Sequence, residues 1–311
     1  MDWTESDRAI SNYVVAESIK TGGPVGPPPD TVRAYLDGHQ RGLGAVVDLL
    51  TRSDPPAWKT DQLKSAPLYA VKALSTILAA EALAQSSRGD RADAERALLA
   101  SWQLNASARD DPGVVGQLTF EQIAIFQASL ARRLPIDPAS WRVRLGEHDY
   151  RASCLRAIVI DANQKRWGTS QMGRTAHADY LDLMRAFLVQ LRDQEVAAQP
   201  TSTEVSDADA LRDGWSVGAT VAMIVRPGLY RVSLIVDDVT LQFELTDRVL
   251  HARELKAQLD RWPAAIPAME TSRVAGVHWV YRVSPDGGMS IAISQPLAAM
   301  SGPPLRFESR E

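Results

Sequence analysis

The chain has 311 residues, 45% of them hydrophobic and 23% charged, the balance of a folded globular protein. A chain of this length has room for about two domains and a core that needs neither disulfides nor a structural metal. Its 38 acidic and 34 basic side chains leave a net charge of −4, which excludes a nucleic-acid binder relying on a strong positive field, and its single cysteine excludes an internal disulfide framework or a cysteine-rich zinc site.

In chain order, Gly22 to Pro29 forms a Gly/Pro-rich linker, and Asp30 after it is a helix N-cap whose carboxylate can accept an orphan N–H. Val32, Tyr35, Leu36, His39, Leu43, Val46, Val47 and Leu50 recur at helical spacing until Asp54-Pro55-Pro56 stops them. Pro67 opens a second helix with Leu68, Val71, Leu74, Ile77, Leu78 and Ala82 on one face. Ser86 to Asp90 ends it, and a third helix runs from about Arg91 to Ala108. Small alanines where these two cross let antiparallel helices approach closely. Asp111-Pro112-Gly113 breaks the chain before a helix over Val114 to Leu134. Asp137-Pro138-Ala139-Ser140-Trp141, echoing Asp54 to Trp58, reads as a turn whose proline directs the chain and whose tryptophan covers the edge of the core. Further helices are expected over Tyr150 to Arg166 and Ala176 to Val196, and a polar loop over Ala197 to Asp207.

Leu229 to Leu259 fits two patterns. Val232, Leu234 and Val236, then Val239, Leu241, Phe243 and Leu245, alternate as a hairpin would, but Asp237-Asp238 lacks the glycine of a two-residue turn. The helical set Leu229, Val232, Val236, Val239, Phe243 continues to Leu259, and Pro227 suits a first turn, so one long helix is expected. Gly276 to Val283 and Met289 to Ser294 alternate around Ser284-Pro285-Asp286-Gly287-Gly288 and form a β-hairpin. Two strands alone are marginal in water, so the hairpin must pack on something, the long helix being nearest in sequence.

No apolar run reaches membrane-spanning length: Lys72 and Glu81 interrupt Ala66 to Ala84, and Trp215 to Val225 ends at Arg226-Pro227. Met1 to Asp7 has neither a basic nor an apolar region of a signal peptide, so the chain as written is expected to be soluble. Cys154 as a free thiol fits a reducing compartment.

Gly89 to Leu98 resembles the turn and second helix of a tetratricopeptide-type hairpin, present once. Together with Asp54-Pro55-Pro56-Ala57-Trp58, Asp111-Pro112, Arg261-Trp262-Pro263, Trp279 to Arg282 and Asp286-Gly287-Gly288, the order of elements resembles helical proteins of GC-rich bacteria. The C-terminal order of helix, proline-bearing loop and hairpin also resembles a pseudopilin head. The likeness covers residues 50–135 and 225–295 and rests on turn and packing residues, so it transfers no active site. It implies envelope association for a full-length form carrying an N-terminal anchor, hence a periplasmic or envelope location, and otherwise a cytoplasmic one.

Candidate chemistry is sparse. Glu147-His148-Asp149 precedes a helix containing Cys154, but a spacing of six puts His148 and Cys154 on different faces, which reads as an acidic cap and a buried thiol. His177 and Asp179 do not face each other on a helix. His251 and Glu254 could share a metal but have no third ligand nearby. Gly22 to Pro27 lacks the spacing and lysine of a phosphate loop, and no nucleophile elbow or paired-histidine zinc helix occurs. The eight tryptophans (3, 58, 102, 141, 167, 215, 262 and 279) are packing residues or, if clustered on a surface, a partner patch.

The expected fold is mainly α: an antiparallel helical-hairpin body over 30–200 behind an N-terminal segment and linker over 1–29, then a small C-terminal α+β module over 208–311, a long helix plus a β-hairpin. The expected function is that of a non-enzymatic scaffold with a protein partner, without cofactor, metal, nucleic acid or membrane span. The alternative is an enzyme with its site in a cleft between body and C-terminal module, around Glu147, His148 and Asp149.

Overall fold

The computed structural model describes residues 3–52, 68–109, 111–164, 178, 180–182, 185, 188, 189, 217–295 and 303–309. Expectations for Asp54 to Trp58, for most of Ala176 to Val196 and for Ala197 to Asp207 lie outside them. Among the described residues the protein is mainly helical, with a small antiparallel sheet at its C-terminal end. The helices are α1 (Trp3–Ser18), α2 (Asp30–Arg52), α3 (Leu68–Arg88), α4 (Arg91–Ala106), α5 (Val114–Ala131), α6 (Pro138–Gly146), α7 (Tyr150–Gln164) and α8 (Val217–Leu259). No helix among these residues is long and apolar enough to cross a membrane.

The α3–α4 hairpin forms as its turn chemistry directs. Gly89 adopts φ 89°, and the N–H groups of Asp90 and Gly89 reach back to the carbonyls of Gln85 and Ser86, closing α3 with a Schellman-type cap. Ala79, Ala80, Ala82, Ala84, Ala94, Ala97 and Ala100 are buried, and the backbones of α3 and α4 pack closely enough for Ser101 Oγ to donate to the Ser75 carbonyl at 3.0 Å.

Asp137-Pro138 proves to be more than a turn. Pro138 occupies the first turn of α6, and the Ser140 N–H donates to the Asp137 carboxylate at 3.1 Å. Trp141 is fully buried and donates through Nε1 to Glu95 Oε1 (3.1 Å), which also accepts from the Asp137 N–H (3.0 Å). One carboxylate thus joins α4 to the start of α6.

The N-terminal stretch contributes a helix that the Gly/Pro punctuation had overshadowed. Ile10, Tyr13 and Val14 of α1 lie in the same apolar cluster as α2, α3 and α5. Beside them Arg133 Nη1 donates to Glu17 Oε2 at 2.7 Å, both groups buried.

α8 is one helix, and it begins at Val217, ten residues before Pro227, which therefore lies inside it rather than in its first turn. Its two faces serve two cores. Leu241, Leu245, Val249 and Ala252, at helical spacing, pack with Trp279, Met289, Ile291 and Phe307 of the sheet, while Leu250 joins the core of the helical body. The sheet is ordered β1 (Trp279–Val283), β2 (Met289–Ile293), β3 (Arg306–Ser309), with Val283 opposite Met289 and Ile291 opposite Phe307. The hairpin matches expectation; β3 is an addition. Its outer edge is not open, because the Glu308 N–H donates to the Thr21 carbonyl (2.7 Å) and Gly22 bridges alongside. A Cβ at Gly22 would stand 1.7 Å from the Glu308 carbonyl oxygen, so only glycine permits this contact.

Buried arginines lock α8 to the end of α5. Arg132 donates to the Gln242 carbonyl (3.1 Å), Gln242 Oε1 (2.8 Å) and Thr246 Oγ1 (3.0 Å). Arg253 donates to the carbonyls of Arg132 and Leu134, placing a cation against the negative end of α5. Burial pulls Arg132 down to about 9, against the charge of Asp238, and pulls Arg253 down to about 10.

Candidate functional site

Where α6, the start of α7, α8 and the 266–273 loop meet, they enclose a cleft of about 830 Å³. α8 presents Val239, Thr240, Phe243, Glu244, Asp247, Arg248 and His251, a stripe at helical spacing. Opposite stand Arg142, Leu145, His148, Asp149, Tyr150 and Arg151, and the loop closes the third side with Ile266, Met269, Thr271, Ser272 and Arg273.

Ion pairs set the distances between these walls. Arg142 reaches across from α6, Nε to Asp247 Oδ1 at 2.8 Å and Nη1 to Glu254 Oε2 at 2.6 Å. Arg151 pairs with Asp237, whose carboxyl is raised by burial and held back by that guanidinium. Glu244 is the pin of the loop wall. It is buried and accepts from Ser272 Oγ (2.8 Å), the Arg273 N–H (2.6 Å) and Trp279 Nε1 (2.8 Å). One turn on, Arg248 donates to the carbonyls of Met269 (2.9 Å) and Thr271 and lies over the Trp279 ring at 5.1 Å. In that loop Ala268 is held at φ 58°, a left-handed conformation that costs a non-glycine residue about 1–2 kcal/mol.

Of the three groups Glu147, His148 and Asp149, the structure brings two to the cleft. His148 and Asp149 line the cleft, but Glu147 turns away, its Oε2 4.0 Å from Arg109 Nη1. Asp149 caps α7 by accepting from the Ala152 N–H at 2.9 Å. Cys154 is fully buried, and burial, reinforced by the charge of Glu121, raises its thiol far above the usual range, so it is no nucleophile. His148 Nε2 instead lies 3.1 Å from Ser153 Oγ, a pairing the sequence reading missed; Ser153 is buried and does not line the cleft. His251 faces the cleft while Glu254 is engaged by Arg142, and no group of three metal-ligating side chains occurs among the described residues. His177, Asp179 and Trp58, Trp167 and Trp215 lie outside those residues. Trp102, Trp141, Trp262 and Trp279 are all buried, so they are packing residues and form no surface patch.

Behind the cleft wall lies a buried polar set that spacing gave no hint of. The Tyr150 ring packs edge-on against Phe243 (5.4 Å between centroids) and His148 (4.5 Å). Burial pushes its hydroxyl up to about 12, with the charge of Arg109 and a hydrogen bond to it lowering it and Glu121 raising it. Glu121 on α5 is fully buried with both carboxylate oxygens unpartnered, and burial pushes its carboxyl well above the usual carboxylate range. Neither Glu244 nor Glu121 could be found from motif spacing: Glu244 is bonded by Ser272, Arg273 and Trp279, distant in sequence, and Glu121 is marked only by its burial. The Glu244/Arg248 pairing at i, i+4 was the one local signal.

Set beside protein-family models, curated proteins and solved structures, the chain matches none.

Proposed function

We propose that this chain is a non-enzymatic binding protein that holds a small, charged ligand in the cleft between its helical body and its C-terminal strands. The observation that carries this reading is the cleft itself: about 830 Å³, lined by charged side chains from three separate stretches of chain and walled by a strained loop. Ligand sites are concavities of roughly 300–1,000 Å³ with a few polar groups converging on them. Backbone strain persists where the surroundings over-determine it, and it gathers at ligand clamps. The reading is non-enzymatic because Arg142, Arg151, Arg248 and Glu244 are committed to holding the walls, and the two nucleophile candidates, Cys154 and Ser153, are buried away from the space a ligand would occupy.

The test is a thermal-shift screen of the full chain against small carboxylates, phosphates and amines, followed by amide hydrogen exchange with each stabilising compound. Protection concentrated in 266–273 and 240–251 supports the reading. No stabilising compound, or protection elsewhere, rejects it.

A second reading, the docking of a protein partner on the helical body, is favoured by an apolar groove of about 780 Å³ between α2 and α3, lined by Tyr35, Leu43, Leu74 and Ile77 with Tyr69 91% exposed at its rim. Exchange protection of α2 and α3 by a captured partner would favour it over the cleft.

A further inference from the structure

Independently of the cleft, we propose that the apolar groove between α2 and α3 is the contact surface for a second copy of this chain, with Tyr69 of each copy seated in the groove of the other. The groove, of about 780 Å³, is lined by Leu43, Leu74 and Ile77 and by the rings of Tyr35 and His39, which stack at 4.3 Å between centroids. His39 Nδ1 stands 2.8 Å from the Tyr35 carbonyl oxygen, so this aromatic wall is already formed. Tyr69, in the first turn of α3, lies at the rim and is 91% exposed. Aromatic side chains seated in apolar pockets are the common anchors of protein interfaces. On its own copy the Tyr69 ring is left in water beside a hollow of matching chemistry.

Gly38 and Gly42, one helical turn apart on α2, line the same groove. A Cβ at either would meet nothing within 4 Å. Packing within the chain therefore does not call for glycine at these positions, and a helix interior disfavours it. Bare backbone there suits close approach by a side chain or helix from outside the chain.

The charges around the groove favour a second copy as that neighbour. Asp7 and Arg41 both line it, and neither makes a hydrogen bond or ion pair among the described residues. The charge of Asp7 bears on the Tyr35 hydroxyl, so the acid stands at the Tyr35 end. Arg41 follows Tyr35 along α2 by about 9 Å, at 1.5 Å per residue. The acids of α2 itself, Asp30, Asp37 and Asp48, are each paired with an arginine and add no free charge. A two-fold axis between the acidic and basic ends sets each Asp7 against the other copy's Arg41 and exchanges the two Tyr69 rings. A two-fold interface needs one surface to carry both halves of every contact, and here aromatic knob, hollow, acid and base share one face.

One tyrosine and one pair of charges per copy fall short of the roughly 800 Å² per partner of a standard interface, so a weak dimer is expected, with a dissociation constant of about 10–100 μM. The test is sedimentation velocity of the full chain over about 1–300 μM, a range that brackets this constant. Tyr69→Ser should weaken the dimer about 30-fold, the loss of one anchoring aromatic. Gly42→Leu fills the hollow with a better helix former and should abolish the dimer while far-UV circular dichroism stays unchanged. Asp7→Arg and Arg41→Asp should each weaken the dimer, and mixing the two variants should restore it, because every charge in the mixed dimer again faces its opposite. These two variants change solvent-accessible side chains and carry the test if Gly42→Leu does not fold.

A wild-type chain that stays monomeric throughout the range, whether its groove is empty or takes some other protein, overturns the proposal. A dimer indifferent to both Tyr69→Ser and Gly42→Leu lies on another face and overturns it as well. A mixture of the charge variants no tighter than either alone rejects the two-fold exchange.

Discussion

Replacing Glu121 with methionine should make this protein more stable, by an amount that grows with pH. The carboxyl is fully buried and both its oxygens lack partners. An unsatisfied buried polar group costs about 1–3 kcal/mol, and methionine fills a similar volume without that cost. The pH term adds to it. The unfolded chain releases this proton near the ordinary glutamate value of about 4.3, whereas the folded chain keeps it to higher pH, because burial disfavours the charged form. Between those two values the folded state binds more protons than the unfolded state, so wild-type stability falls as pH rises. The fall has a limiting slope of about 1.4 kcal/mol per pH unit while the folded form stays protonated. The variant carries no such term. Urea unfolding of both proteins at pH 5 and pH 7.5 should therefore show the variant ahead at both and further ahead at the higher pH. A difference that does not change with pH, or a less stable variant, would refute the assignment of Glu121 as a buried, unpartnered acid.

Two further substitutions test the walls of the cleft. Glu244→Ala leaves the Trp279 and Arg273 N–H groups without their acceptor and should cost about 3–5 kcal/mol, the range for breaking a buried charged network, with faster amide exchange at Arg273 and Val274 as the local readout. Ala268→Gly relieves the left-handed backbone and should gain about 1 kcal/mol in urea unfolding; no gain would mean that the loop relaxes to negative φ in solution.

How much of this was legible in the sequence depends on the range over which each force acts. The turn at Gly89-Asp90 and the Asp286-Gly287-Gly288 hairpin were readable, because caps and turns are settled by backbone conformations and hydrogen bonds within about five residues, whereas Asp137-Pro138 was read only as a turn and proves to start α6. The long helix was readable too, since Val236, Val239 and Phe243 continue at helical spacing as far as Leu259. α1 went unread although Ile10, Tyr13 and Val14 have the right spacing, because its stability comes from the core it covers and the Arg133–Glu17 pair, 116 residues apart. β3 offers one inward residue, Phe307, and exists through pairing with β2 and the contact of Glu308 with Thr21.

The cleft was anticipated in place and not in chemistry. His148 and Asp149 stand where a junction site was expected, but its defining groups are Glu244, gripping a loop 28 and 29 residues onward, and Arg142, bridging to Asp247 from α6. The sequence by itself determined the class of fold and the ends of most helices, since local hydrogen bonding and helical periodicity decide those. The tertiary structure alone decided that Glu121 is stranded and that Cys154 is inert, because burial is a property of what packs around a residue and not of its neighbours in the chain.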